Sequence, residues 1–146
     1  PGGAGATSTT LNDYEEGTFT PVINSTGGGR GTFSIQVGSY TVVGDRVFFQ
    51  LYVALSNLNT LGVGIVTIDG LPFAANSTSN TYSGIACPYQ DNVTLTGGKL
   101  MFGAYIAPSA TGINIVEMAS GGGATSLAKA NLTNTSSFMF CGSYKR

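Results

Sequence analysis

A chain of 146 residues with a formal charge of −1 and only 9% charged side chains has room for one domain with a sizeable core, and its scattered Lys and Arg give no electrostatic footprint for nucleic acid or an anionic membrane. Solubility rests on Ser, Thr, Asn and 22 glycines rather than on the roughly 25% charge usual in globular domains. With no histidine, the Ser-His-Asp and Cys-His relays and the common zinc sets are excluded, and no apolar run approaches the roughly 20 residues of a membrane-spanning helix.

Residues 1–12 read as a Gly/Ser/Thr linker left by a cut through a tether, and residues 13–146 as a single domain. Asp13, Glu15 and Glu16 then crowd around Tyr14. An acid/base pair or an oxygen-rich Ca²⁺ site are two readings; a docking segment whose Tyr14 packs is the plainer one, because paired carboxyls in glycosidases face each other about 5–10 Å apart across a cleft. Residues 18–24 form a short strand that Pro21 confines to a sheet edge. The glycine-rich stretch 25–31 lacks the lysine of a phosphate-binding loop and is a turn. Residues 32–37 alternate, with Phe33, Ile35 and Val37 expected inward, and Gly38 allows a bulge or bend.

Gly44-Asp45 turns the chain into residues 46–56, the element around which the fold is organised. Val47, Phe49, Leu51, Val53 and Leu55 form an apolar row with the period of a strand, and they are the core face. The other row carries Phe48, Gln50 and Tyr52. It is too sticky for water and too polar for a core, so a partner subunit or a ligand is its expected occupant, and these three are assigned to a subunit interface.

Residues 63–70 make a strand ended by Asp69-Gly70, and Leu71-Pro72-Phe73 turns an apolar corner. A strand at 81–87 leads to a loop at 88–92, where Tyr89, Gln90, Asp91 and Asn92 are the best candidates for ligand contact. Strands follow at 93–95, at 99–107 with Leu100, Phe102, Ala104 and Ile106 inward, and at 112–119. Glu117 lies in the row of Ile113 and Ile115 and is read as a strand end or subunit contact rather than a catalytic acid. One helical turn is expected within 126–132, and Phe138, Phe140 and Tyr144 share a face of the closing strand. Cys87 and Cys141 read as buried small hydrophobes, or else as a bridge. Short strands punctuated every roughly 8–12 residues predict an all-β, antiparallel β-sandwich or jelly roll.

The segments DYEEGTFTP (13–21), VGSYTVVGDRVFFQLYVAL (37–55) and IDGLPFAAN (68–76) resemble the receptor-binding or C-terminal module of tailed-bacteriophage tail fibres and tailspikes, with Phe19 where that family more often has Trp. The resemblance implies a β-sandwich at the tip of a homotrimeric virion appendage, with residues 1–12 leading in from the fibre, and it fixes no functional residue. The expected function is non-enzymatic: trimerising the fibre and attaching it to a host cell-surface glycan or protein, with no cofactor, metal, nucleic acid or membrane insertion. The alternatives are a structural trimerisation cap or head-fibre domain without a receptor, and a glycan-degrading enzyme drawing on Asp13, Glu15, Glu16, Asp69, Asp91 and Glu117.

Overall fold

The apolar row of residues 46–56 is what the fold is built on. In the computed structural model, which describes residues 13–146, it becomes strand β4 (Arg46–Asn57), with Val47, Phe49, Leu51, Val53 and Leu55 all buried. On one side β4 pairs with β3 (Thr32–Val43), which pairs in turn with β1 (Tyr14–Phe19) at the sheet edge. On the other side it pairs with β10 (Leu132–Lys145), and β10 with β6 (Ser83–Val93). β6 is shared between two halves. Its first residues, Ser83, Gly84 and Ile85, pair instead with β7 (Lys99–Ile106). The sheet continues through β8 (Gly112–Ala119) and β5 (Val66–Asp69) to β2 (Val22–Ser25) at the opposite edge, while the two-residue β9 (Thr125–Ser126) pairs with β8. The expected two-layer sandwich is thus one continuous antiparallel sheet curled into a half-barrel, its layers joined through β6.

The concave side holds one core. Ile23, Val66, Ile68, Ile113 and Ile115 from one half meet Phe49, Leu51, Phe138, Phe140 and Tyr144 from the other. Each such side chain, once fully buried, contributes about 1.5–3 kcal/mol from apolar area removed from water. Gly142 shares the row of Phe138, Phe140 and Tyr144, and a Cβ there would stand 2.8 Å from Ile85 Cδ1, so the missing side chain is what lets Ile85 into the core.

Several local expectations change once the strands pair. Residues 18–24 are not one strand: the chain breaks at Thr20-Pro21, and β1 and β2 lie at opposite edges of the sheet. Pro21, with no N–H to donate, stands at the crossing. In β3 the register shifts between Phe33, opposite Leu55, and Ile35, opposite Ala54. The extra residue inverts the alternation beyond it, so Gly38 and Val42 turn inward and Val37 is 63% exposed instead of buried. A second shift between Lys99 and Met101 leaves Leu100 exposed as well. The strand expected at 63–70 shortens to Val66–Asp69, and the helical turn is a 3₁₀ turn at Lys129–Asn131. The PYQDN segment is not a loop; it runs within β6.

Candidate functional site

The convex face of the β1-β3-β4-β10-β6 half is the surface the core does not use. Antiparallel register sets Val37 beside Tyr52, Tyr52 beside Met139 and Met139 beside Tyr89; the next row is Ser39, Gln50 and Cys141, and the next Thr41, Phe48 and Ser143. A shallow trough of about 330 Å³ opens between Val37, Gln50, Tyr52, Pro88, Met139 and Cys141. A second hollow of about 240 Å³ adjoins it at Ser39, Phe48 and Gln50. Among the described residues no charged side chain lines either hollow. Phe48, Val37 and Tyr89 are exposed on this face, and Tyr52 meets Tyr89 edge-on with ring centroids 6.4 Å apart.

The structure therefore brings together two groups that the sequence kept apart: Phe48, Gln50 and Tyr52, assigned to an interface, and Tyr89, assigned to ligand contact. The rest of the ligand group behaves differently. Asn92 occupies a left-handed conformation (φ 54°), its backbone N–H donates to Asp91 Oδ1 at 2.9 Å, and its carbonyl accepts the Ser136 hydroxyl at 2.6 Å. Its side-chain amide donates to Asp91 Oδ2 at 3.2 Å, so Asp91 and Asn92 satisfy each other and close β6 against β10. Gln90 lies opposite Phe138, on the other face of the strand from Tyr89.

The cysteines are neither bridged nor both buried: Cys87 is half-buried, Cys141 is exposed in the trough, and both are free thiols. Burial pushes the Cys87 thiol up to about 11, against a weaker lowering by the Tyr89 carbonyl, so at neutral pH it is protonated and a poor nucleophile.

All seven carboxylates have partners. Arg146 reaches Asp13 at 3.4 Å, Lys145 reaches Asp45 at 2.9 Å, Tyr40 donates to Glu15 at 2.6 Å and Tyr14 donates to Glu16. Glu15 and Glu16, adjacent on β1, point to opposite faces. The hydrogen bonds to these carboxylates raise both tyrosine hydroxyls above their ordinary value. Asn24 donates to Asp69 at 2.7 Å. Glu117 is 2% exposed, so it is neither a strand end nor a subunit contact; it accepts from the Thr96 N–H (2.8 Å), the Thr96 hydroxyl (2.7 Å) and the Asn131 amide (3.1 Å). It pins the β6–β7 connection to the 3₁₀ turn. Among the described residues no three Cys, Asp or Glu side chains converge as a metal ion would require.

Sequence reasoning missed why its own motif residues belong together. Across the β1–β3 pair Gly17 faces Tyr40 and Phe19 faces Gly38. A Cβ on Gly17 would fall 2.6 Å from the Tyr40 ring, and one on Gly38 2.7 Å from the Phe19 ring, so each glycine is a seat for the opposite aromatic. Phe19 packs on Phe49, Phe49 on Tyr144, and Tyr40 on Phe73, with centroids 6.4, 6.0 and 5.4 Å apart. The Arg146 guanidinium lies 5.1 Å from the Phe73 centroid. The segments 13–21, 37–55 and 68–76 thus meet in one aromatic cluster beside Arg146, a convergence that only strand pairing reveals.

The fold is a curled all-β antiparallel sheet, and its structural likeness to a phage tailspike suggests a tail-associated module. A solved structure it is similar to is the crystal structure of the Dettilon tailspike protein (gp208), at a TM-score of 0.74 and 25% identity over 90% of this chain. This chain spans 24% of that one. No family model and no curated protein matches the sequence.

Proposed function

We propose that the chain is a non-enzymatic structural module at the end of a phage tail fibre or tailspike, that three copies associate through the face centred on Phe48, Gln50 and Tyr52, and that the assembled tip attaches the particle to a host cell-surface glycan. The observation that carries this reading is the uncharged, aromatic-lined trough on the convex face of a fold similar to a tailspike. An exposed apolar patch rimmed by polar groups marks a surface that a protein partner covers, and tyrosine with few charges is the composition of an interface centre. Because Tyr52 and Tyr89 touch, burying the first places the second at the rim of the contact. Three copies on a fibre turn weak single-site attachment into avidity. A non-catalytic role is supported by the carboxylates, each tied to a structural partner rather than opposed across a cleft.

Native mass tests the association. The wild-type chain is expected to run at three times 14.9 kDa in light scattering at micromolar concentration, and Tyr52→Asp to shift it towards the monomer by placing an unpaired carboxylate in the contact. A monomeric wild type, or a Tyr52→Asp variant with unchanged mass, would refute it.

A further inference from the structure

We propose that the second convex face, on the β6-β7-β8-β5-β2 half, binds a neutral oligosaccharide laid across the strands; this rests on the host-attachment reading and names a site on a face of its own. Register places Gly84 beside Tyr105, Tyr105 beside Asn114, Asn114 beside Thr67 and Thr67 beside Asn24, one residue from each of five neighbouring strands. All five alternate with core residues, Ile85, Ile106, Ile113, Ile68 and Ile23, and so point away from the core. Neighbouring strands lie about 4.7–4.9 Å apart, which sets polar groups along this row at close to the length of one pyranose unit.

One end of the row is a shelf. Tyr82, 60% exposed, meets Tyr105 with centroids 5.7 Å apart and planes at 67°. Beside them a Cβ on Gly84 would meet nothing within 4 Å, so the C–H face of a sugar ring has a flat seat next to two phenol hydroxyls. The other end is polar: the Asp69 carboxylate lies over Gly112 and accepts from the Asn24 amide at 2.7 Å. Among the described residues the hydroxyls of Tyr82, Tyr105 and Thr67 and the amide of Asn114 make no hydrogen bond within the protein, whereas Asn24 is already committed to Asp69 and to the Ser25 N–H.

The chemistry selects the occupant. A saccharide alternates apolar ring faces with donor and acceptor hydroxyls, as this shelf and row do. Asp69 and the exposed Arg30, bridged to Asn24 at the polar end, carry single opposite charges, so the array has no net charge to select an ionic sugar. This face lies on other strands than the face centred on Tyr52, so association through Tyr52 does not require it.

The test titrates the full chain with maltohexaose, mannohexaose and a galactose hexasaccharide at millimolar concentration, with hyaluronan hexasaccharide as the acidic comparison, following backbone amide resonances. Binding of at least one neutral probe is expected to move Gly84, Tyr105 and Asn114. Tyr82→Ala and Gly84→Val should each weaken it by about tenfold or more. Gly84→Val enters open space on a strand, so the fold is expected to persist. No shifts with any neutral probe, shifts centred on Tyr52 and Tyr89, or binding of the acidic probe alone would overturn the assignment. Light scattering on the same samples separates the two ideas. A trimer with no sugar response removes this site and leaves the association standing; a monomer that binds through this row does the reverse.

Discussion

Replacing Tyr144 by Phe removes a single oxygen from the place where the two halves of the sheet and the Leu71-Pro72-Phe73 corner meet. Tyr144 is 0% exposed, and its hydroxyl donates to the Phe73 carbonyl at 2.9 Å and accepts from the Phe73 N–H at 3.3 Å. Each bond is worth about 0.5–1.5 kcal/mol net, and a buried backbone group left without a partner costs about 1–3 kcal/mol. Phe73 is only half-buried, so water can reach part of the vacated site and the lower end applies: a loss of about 2 kcal/mol. For a domain of this size that is a fall in Tm of roughly 5–8 °C with the urea m-value unchanged, measured at matched protein concentration because association shifts apparent stability. The pH dependence adds a second, independent readout. Burial pushes the Tyr144 hydroxyl up to about 12 from 10.0, so between pH 10 and 12 the unfolded chain ionises first and wild-type stability falls as pH rises. Tyr144→Phe lacks that component, and its deficit relative to wild type should shrink across the same window. The shifts of Cys87, Tyr14 and Tyr40 are common to both proteins and cancel in the difference. Equal stability at pH 7, or a gap that does not narrow above pH 10, would refute the role of this hydroxyl.

Glu117 separates a hydrogen-bonding role from a charge role. Glu117→Gln keeps an acceptor for the Thr96 and Asn131 donors and can donate to the Thr96 hydroxyl, so it should cost less than about 1 kcal/mol by urea denaturation. Glu117→Ala leaves those donors unpaired beside a void and should cost about 2–4 kcal/mol; equal losses in the two variants would contradict the account. Gly38→Ala drives a Cβ into a Phe19 ring already packed on Phe49, an overpacking cost of about 1–3 kcal/mol. The same change in a Phe19→Ala background should be close to neutral, and additivity of the two substitutions in a double-mutant cycle would show that the rings and glycines are not paired as described.

Much of the fold was legible residue by residue. The apolar row of β4, the apolar face shared by Phe138, Phe140 and Tyr144, the edge placement implied by Pro21, the turn at Gly44 and the position of Glu117 in the row of Ile113 and Ile115 all follow from period-2 alternation and local backbone chemistry. So does the stickiness of the Phe48, Gln50 and Tyr52 row, because a strand residue's side is set by its immediate neighbours.

Pairing decided the rest. One extra residue near Phe33 turned Val37 from core to surface, and a register shift did the same for Leu100, because alternation carries no memory across a bulge. PYQDN looked like a loop from its Pro, Asp and Asn, yet β10 supplies it with a partner strand. Glu117 gained its meaning from Thr96 and Asn131, and Tyr82 from Tyr105, contacts between residues far apart in the chain. The sequence by itself determined the period-2 apolar rows and the turns such as Gly44-Asp45, since those preferences are local free energies. Which rows stand side by side, and therefore which surfaces can hold a partner, depended on non-local strand pairing and the closure of the sheet through β6.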